Sequence, residues 1–345
     1  MKVLYVYRKL RKGSLAWLKF LKEQFLYFPL KGQDGFFEGS LFTAFPDLDL
    51  LPVEKAADMH QVLERKYDWV IVNEKCYGKN VSLASQDLVW LKSLHKCRKA
   101  LFIDQANANY LPDEKILDLF DVVFKRELLK DLDRYRIKPS ARQKLHVTML
   151  ACPLIRAYFS KISRKVIINP VIIKEKQHFE HDVAFVGANT SIIRQNILTS
   201  LSKSPVNFYG GLYDHISGLA LDWSGPRHPM ESKSLYMQRI AGSRINLALD
   251  GKGAFTFRHL DIWYTGGFML STSSILDLQL PGGIPEEGKH FASFSGFNDL
   301  EEKISYYLKN ESERLKIATA GNEFFRSIYD FSGHGRQIAG ILSSY

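Results

Sequence analysis

Short apolar segments rich in branched and aromatic residues recur along the first half of the chain. They lie at residues 2–7, 67–74, 99–105, 121–125 and 144–152. Continuous apolar runs of this length are typical of parallel strands that are covered on both faces. Between two of these runs, residues 53–66 carry apolar side chains at helical spacing and predict a helix. The first half is therefore predicted to fold as a βαβ series.

A charged segment, residues 169–182, interrupts this rhythm and begins with a helix-breaking Asn-Pro pair. The pattern then restarts, with apolar runs at residues 182–189, 206–211, 244–250, 266–272 and 289–294. Two successive series predict an α/β protein with two doubly wound, Rossmann-like domains facing across a cleft. Ligands in such folds gather at the carboxyl ends of the strands.

The charged segment 169–182 separates the two predicted domains. We assign residues 1–170 to an N-terminal domain and residues 171–325 to a C-terminal domain. Residues 326–345 are predicted to form a C-terminal helix that crosses back to the first domain.

The net charge narrows the class of molecules that the protein is expected to bind. The 345-residue chain has a formal net charge of +10, which favours anionic partners such as nucleotide diphosphates or phospholipid surfaces. No nucleic-acid-binding module is recognisable, so nucleic acid is not expected as a partner. The basic, aromatic segment 14–31 leaves two interpretations open: the first helix of the domain, or transient contact with a membrane surface.

The cysteine and histidine pattern favours a reducing compartment and no bound metal. The three cysteines, Cys76, Cys97 and Cys152, form no C-x-x-C pair, and the histidines are scattered. The chain starts without the pattern of a secretory signal, and no run of eighteen apolar residues occurs. These features predict a cytoplasmic protein.

Two stretches in the second half carry candidate chemistry. In "FVGANTSIIRQNIL" a predicted strand ends at Gly187, and a helix begins after Asn189, with Arg194 in its first turns. Exposed N–H groups at a helix start attract an oxyanion, although a tight turn and an N-cap at Thr190 explain the same residues. Tyr209 and Gly210, on the predicted strand 206–211, join the candidates for ligand binding.

The second stretch is "GKGAFTFRHLDIWYTGG". A helix from Phe257 to Thr265 places Arg258 and Asp261 on one face, with Gly266 as C-cap and Gly267 opening the next strand. The preceding loop, with Lys252 between glycines, brings backbone N–H groups close to a phosphate. A plain surface ion pair between Arg258 and Asp261 remains the alternative.

These residues resemble a known family. "RHLDIWYTGG" is similar to the R-x-F-E-x-L-A-x-G-G signature of bacterial group 1 glycosyltransferases, including the CgeB-like proteins. Residues 286–325 resemble the tail of the same family, and residues 182–198 resemble the start of its donor domain. The resemblance covers residues 182–330 and implies the GT-B fold. It also implies metal-independent transfer of a sugar from a nucleotide-diphosphate donor, without a cofactor, in glycan biosynthesis.

The resemblance implies roles for individual residues. Asp261 stands where the family holds the nucleotide ribose, and Arg258, Lys252 and Arg194 suit the diphosphate. The implied donor set is completed by Gly187, Asn189, Tyr209, Gly210, Gly266 and Gly267. Related retaining enzymes carry a second acid where this chain has Gly253, so the stereochemical outcome stays open.

The acceptor side is assigned to the first domain. Asp104 and Glu74 follow predicted strands, and either carboxylate suits a general base that deprotonates the acceptor hydroxyl. Capping of the next helix is the alternative for Asp104. The acceptor itself is a saccharide or another hydroxyl compound, free, lipid-linked or on a protein. A catalytically inactive sugar-nucleotide-binding protein and a GT-B-type sugar-nucleotide epimerase are the alternative functions.

Overall fold

The structure is a computed structural model that describes residues 1–8, 27–30, 32–53, 67–77, 97–170 and 179–345. Its strands in chain order are β1 (Val3–Arg8), β2 (Tyr27–Leu30), β3 (Asp49–Val53), β4 (Trp69–Asn73), β5 (Arg98–Ile103), β6 (Val122–Arg126), β7 (Leu128–Leu129), β8 (Leu145–Thr148), β9 (Ile155–Ser160), β10 (Lys165–Pro170), β11 (His181–Ala188), β12 (Phe208–Tyr213), β13 (Ser243–Ala248), β14 (Met269–Thr272), β15 (Leu278–Gln279) and β16 (Ala292–Phe294). Its α-helices are α1 (Gly35–Ala44), α2 (Glu114–Leu117), α3 (Pro139–Arg142), α4 (Ile192–Leu201), α5 (Lys233–Ala241), α6 (Phe257–Thr265), α7 (Phe297–Lys309), α8 (Glu311–Ile328) and α9 (Phe331–Ser344). Among the described residues, no helix combines the length and the apolar character needed to cross a membrane.

The first domain is built on a parallel sheet in the order β3-β1-β4-β5-β6-β8. All five residues of β4 and of β6 are buried, since helices or loops cover both faces of the sheet. The chain reverses its winding between β1 and β4, and this is the point at which an open parallel sheet forms its ligand crevice.

The second domain repeats the plan with a five-stranded parallel sheet in the order β12-β11-β13-β14-β16. Its winding reverses between β11 and β13. The prediction of a mixed α/β protein with two Rossmann-like domains is therefore confirmed, and each of the ten apolar runs overlaps a strand.

A third, antiparallel sheet, in the order β10-β9-β2, was not predicted. Its strand β10 includes Asn169-Pro170, so this pair forms the end of a strand. The segment 14–31 ends in strand β2, which corrects the expectation of one continuous helix. Residues 14–26, together with most of the predicted helix 53–66, lie outside the described residues.

Contacts between the two halves are extensive. Strands β7 and β15, one from each half, pair antiparallel, and the Lys130 N–H donates to the carbonyl of Asp277 across the same junction. Helix α9 packs along α1, where Thr43 Oγ1 donates to the carbonyl of Phe331. These contacts place the carboxyl ends of both sheets at a common interface. The domain boundaries at 170 and 325 stay predictions.

Candidate active site

The two sheets meet at a cavity of about 250 Å³. It is lined by residues from both halves, namely Asn107, Ala108, Asn109, Leu129, Arg134, Ser191, Ile193, Asp250, Gly251, Lys252, Gly253, Ala254, Ser274, Asp277 and Leu278. The first-half residues follow β5 and β6, and residues 250–254 follow β13. The cavity therefore opens at the carboxyl ends of strands from both sheets, where ligands bind in folds of this class.

A glycine-containing loop, residues 250–256, forms one wall and leads into helix α6. The start of α6 is fixed by Thr256, whose N–H donates to Nδ1 of His259 over 3.1 Å. His259 is fully buried and also contacts the Ser271 hydroxyl, and burial lowers its pKa to about 3. The imidazole is thus neutral and locks helix and loop to strand β14. The helix ends at Gly266 in the left-handed conformation, φ 70°, so the predicted helix and its cap are confirmed.

Arg258 lies behind this loop, at the carboxyl end of β11. Its guanidinium donates to the carbonyl of Val186 and stacks over the rings of Phe185 and Tyr236, at 4.4 and 5.3 Å. Neither Arg258 nor Asp261 is among the cavity-lining residues, whereas the exposed Lys252 is. The sequence assigned Arg258 and Lys252 to the diphosphate of the donor and Asp261 to its ribose, but the structure separates Lys252 from the other two.

Asp261 is buried against the first half of the chain. Its Oδ1 accepts a hydrogen bond from the Cys152 thiol at 3.8 Å, and the side chain is 4 % exposed. Burial raises the pKa of Asp261 to about 7, although Arg258 opposes the shift. Because Asp261 is buried, the alternative of a simple surface ion pair with Arg258 is wrong.

Arg194 holds the carboxyl ends of two strands together. Its guanidinium donates to the carbonyls of Ala188, Leu249 and Asp250 at 2.7 to 2.9 Å, and burial lowers its pKa to about 10. These bonds cross the reversal point between β11 and β13. Three of its five N–H donors are used by backbone carbonyls, so Arg194 ties the two strand ends together. Its contact with the diphosphate stays a prediction.

Gly187 and Asn189 lie where strand β11 ends and the chain turns toward helix α4. A Cβ at Gly187 would lie 2.7 Å from the Phe185 ring, and Asn189 Oδ1 accepts from Gln195 at 3.1 Å. Both residues lie at the carboxyl end of β11, as expected, but their contacts are internal. Ser191, and not Thr190, occupies the N-cap position of α4.

Four other predicted donor-binding residues lie away from the cavity. Tyr209, near the amino end of β12, bonds to Glu231 at 2.7 Å. Gly210 packs directly on the backbone of Phe185, where no side chain fits. Gly266 and Gly267 precede β14 and therefore lie at the amino end of the sheet. The sequence pattern indicated that the choice of residue at these positions is restricted. In the structure this restriction comes from packing and from a helix cap.

The first domain carries a buried polar network at its own reversal point. Lys75 bridges two carboxylates: it pairs with Asp34 and, at 2.7 Å, with Asp104. Arg126 lies 3.6 Å from the other oxygen of Asp104. Asn73 connects this network to β1, since its amide donates to Asp34 at 3.1 Å and to the Tyr5 hydroxyl on β1 at 3.0 Å.

Asp104 is the most buried carboxylate of this network. It is 1 % exposed, and neither of its oxygens has a hydrogen-bond partner besides these ion pairs. Burial, followed by the neighbouring Asp34, raises the pKa of Asp104 to about 8. Helix α2 is capped by Asp113, so the helix-cap interpretation of Asp104 is wrong. Lys75 is 40 % exposed and joins Asp104 to the surface.

Glu74 lies beside the network but has a different environment. Burial raises its pKa, and the backbone N–H groups of Gln105 and Asp104 oppose the shift by hydrogen bonding to the carboxylate. Glu74 therefore positions the segment that carries Asp104.

Glu127 was not predicted as a site residue. It follows β6 directly and accepts the N–H of Ala254 at 3.1 Å, which links the first half to the glycine-containing loop. A Cβ at residue 253 would overlap this carboxylate. The sequence feature that could have indicated Glu127 is the charged triplet Lys125, Arg126 and Glu127 at the end of an apolar run. The residue that bonds to Glu127, however, lies 127 positions away along the chain.

The described residues contain no group of three or more His, Cys, Asp or Glu side chains suited to a metal ion. Metal independence stays a prediction.

Comparisons with known proteins agree with this architecture. Residues 194–339 match a protein family described as glycosyl transferase-like. A search of curated proteins finds no match. The second half of the chain therefore carries a glycosyltransferase-like domain, while the CgeB-like assignment stays a prediction.

Several solved structures share the fold. Anabaena HepE in complex with UDP-glucose superposes with a TM-score of 0.53 over 100 % of both chains, at 10 % identity. A glycosyltransferase from Rickettsia africae gives 0.55 at 9 % identity, over 99 % of this chain and 98 % of that one. Sucrose-phosphate synthase from Thermosynechococcus elongatus gives 0.51 at 7 % identity, with the same coverage. The likeness confirms the GT-B fold.

Proposed function

We propose that this protein transfers a sugar from a nucleotide-diphosphate donor to a hydroxyl acceptor. The observation that carries the proposal is the cavity of about 250 Å³ between the carboxyl ends of the two sheets, walled by the loop at residues 250–254. The family match of the second half supports transfer chemistry. The UDP-glucose complex of Anabaena HepE supports a UDP-sugar as the first donor to test.

The second domain binds the donor. Lys252, on the cavity wall, reaches the diphosphate, and Arg258 adds a fixed positive charge at the neighbouring strand end. Fixed cations stabilise the negative charge that develops on the leaving diphosphate. Asp261 accepts hydrogen bonds from the ribose hydroxyls once Cys152, which covers it in this conformation, moves aside.

The first domain activates the acceptor. The network of Asp34, Lys75 and Asp104 receives the proton of the acceptor hydroxyl. The acceptor oxygen then bonds to the anomeric carbon, and the bond from that carbon to the diphosphate breaks. We assign the base to Asp104 over Glu74, because Asp104 is held by ion pairs with Lys75 and Arg126, whereas Glu74 accepts two backbone N–H groups. A base works best with a pKa near the working pH, and the raised pKa of Asp104, about 8, meets this condition.

A thermal-shift screen tests the donor site. We expect one nucleotide diphosphate to raise the melting temperature, because a ligand at a hundredfold excess over its Kd stabilises the native state by about 2.7 kcal/mol. Arg258→Ala should weaken binding of that nucleotide by about tenfold to a hundredfold, since charge-assisted hydrogen bonds contribute about 1.5 to 3 kcal/mol. The ligand-induced shift is compared, because the substitution also alters the contact with Val186.

Arg244→Ala is the matched control for this screen. Arg244 belongs to the same domain but pairs with Asp182 at 2.7 Å, at the amino end of the sheet. The control should keep the full ligand-induced shift. A parent protein that no nucleotide diphosphate stabilises contradicts the donor site. Release of nucleotide diphosphate from the bound sugar donor then separates a transferase from an inactive binding protein, and interconversion of two donors identifies an epimerase.

A further inference from the structure

The carboxylate of Glu127 lies where the two domains touch. It is 1 % exposed, and its Oε2 accepts the N–H of Ala254 from the opposite domain at 3.1 Å. Glu127 itself has φ 56°, a left-handed conformation that a residue other than glycine adopts only where its surroundings hold it. The adjacent pairing of β7 with β15 fixes its position relative to the second domain.

One oxygen of this carboxylate has no partner. Burial raises the pKa of Glu127, while Arg126, Lys125 and the backbone N–H groups of Asn107 and Phe255 oppose the shift. Oε1 itself has no hydrogen-bond partner. Lys125 does not satisfy it either, since its ammonium donates to the carbonyls of Asn107 and Arg126. A buried acceptor without a donor is rare in folded proteins, and a bound ligand is one way to satisfy it.

Gly253 separates this oxygen from the cavity. The glycine lines the cavity, and on its other side a Cβ would lie 2.7 Å from Oε1. Residue 253 therefore places no side chain between the carboxylate and the ligand space. A small shift of this loop opens the oxygen to the cavity.

The charge of the carboxylate determines which part of the donor Oε1 can bind. A carboxylate repels a diphosphate and accepts a hydrogen bond from a hydroxyl. We propose that Glu127 recognises the donor sugar by accepting one of its hydroxyl groups, and so turns the sugar toward the domain junction and the diphosphate away from it. The inference rests on the proposed donor function. Glu127 thereby determines sugar specificity, a role separate from that of the base in the first domain.

Calorimetric titration of Glu127→Gln tests this role. Glutamine keeps the shape and can still accept the Ala254 N–H, but it loses the charge. The probes are UDP with UDP-glucose and GDP with GDP-mannose, titrated into the parent and the variant. For the pair that binds the parent, we expect the nucleotide sugar to bind more tightly than its diphosphate. In the variant this affinity ratio should fall about tenfold, while the diphosphate alone keeps its affinity within about twofold.

The outcomes separate recognition from a merely structural contact. Equal weakening of diphosphate and nucleotide sugar would show that Glu127 only fastens the loop, and would overturn the inference. An unchanged ratio, or a parent for which the sugar adds no affinity, overturns it as well. If no diphosphate binds the parent, the proposed function itself fails, which is a different result from any of these.

Gly253→Ala provides a second variant that leaves Glu127 in place. Its Cβ overlaps the carboxylate, so the same affinity ratio should fall. In the Glu127→Ala background, Gly253→Ala should lower this affinity ratio by less than about a further twofold, because the carboxylate that the new Cβ would overlap is absent. Independent losses from the two substitutions would contradict the inference, and the melting temperature of each variant shows that it is folded.

Discussion

Asp104→Asn is expected to lower kcat/KM by about 10²- to 10⁴-fold, the contribution that a positioned general base makes. The parent's rate should rise with pH and level off above the pKa of Asp104, about 8, because only the ionised carboxylate accepts the proton. The variant should lose this rising limb. Rates are measured against pH with the nucleotide sugar that stabilises the protein, following release of the nucleotide diphosphate. Affinity for the diphosphate should stay within a few-fold, since the network lies in the other domain.

Glu74→Gln is the matched control for this substitution. Glu74 is also buried and also follows a strand of the first sheet, but its carboxylate accepts the backbone N–H groups of Asp104 and Gln105. An amide oxygen retains that ability, so most of the activity and the pH profile should remain. If Glu74→Gln removes the limb and Asp104→Asn keeps it, the base is Glu74 and our assignment is wrong.

Asp261→Asn is expected to change how stability depends on pH. The folded-state pKa of Asp261, about 7, is raised above its ordinary value of 3.8 by burial. The stabilising contribution of the protonated carboxyl is thus fully present below pH 3.8 and is lost as the pH rises through 7. This loss amounts to about 4 kcal/mol at 1.36 kcal/mol for each pH unit. Asparagine has no charge to bury. The difference in unfolding free energy, variant minus parent, should therefore increase by about this amount between pH 4 and pH 7.

Urea unfolding of parent and variant at several pH values measures this difference. Comparison of the two proteins cancels the contributions of the other buried carboxyl groups. Asp222→Asn is the control, because Asp222 is exposed and only pairs loosely with Arg227 at 4.0 Å. Its curve should run parallel to that of the parent. Parallel curves for Asp261→Asn would show that Asp261 is ionised without penalty in the folded protein.

The predictions that held rest on local information. The strands were recognisable because a parallel strand covered on both faces needs a continuous apolar run. Helix α6 and its left-handed cap at Gly266 followed from a short apolar pattern and one glycine. The antiparallel sheet was missed because β9 and most of β10 were assigned to no element, and the Asn-Pro pair that ends β10 was assigned to the interruption between the domains.

A related reason limits what local patterns indicate about the site. A motif shows that a position is constrained, but not by which contact. Arg194 suited a phosphate on sequence grounds, whereas in the structure three of its five N–H donors are used by backbone carbonyls, two of them more than fifty positions away. Likewise, Gly267 was assigned to the donor, although a Cβ there would meet the Asn246 amide at 3.0 Å.

The sequence by itself determined the two parallel sheets, the end of α6 and the candidate status of Asp104, because hydrophobic periodicity, capping and strand ends act over a few residues. Only the tertiary structure decided that Lys75 joins Asp34 to Asp104, and that Glu127 rests on Gly253 across the cleft. Their separations along the chain are too long for any local pattern to record. The electrostatic state of these carboxylates depends on burial, and burial exists only once both domains have packed against each other.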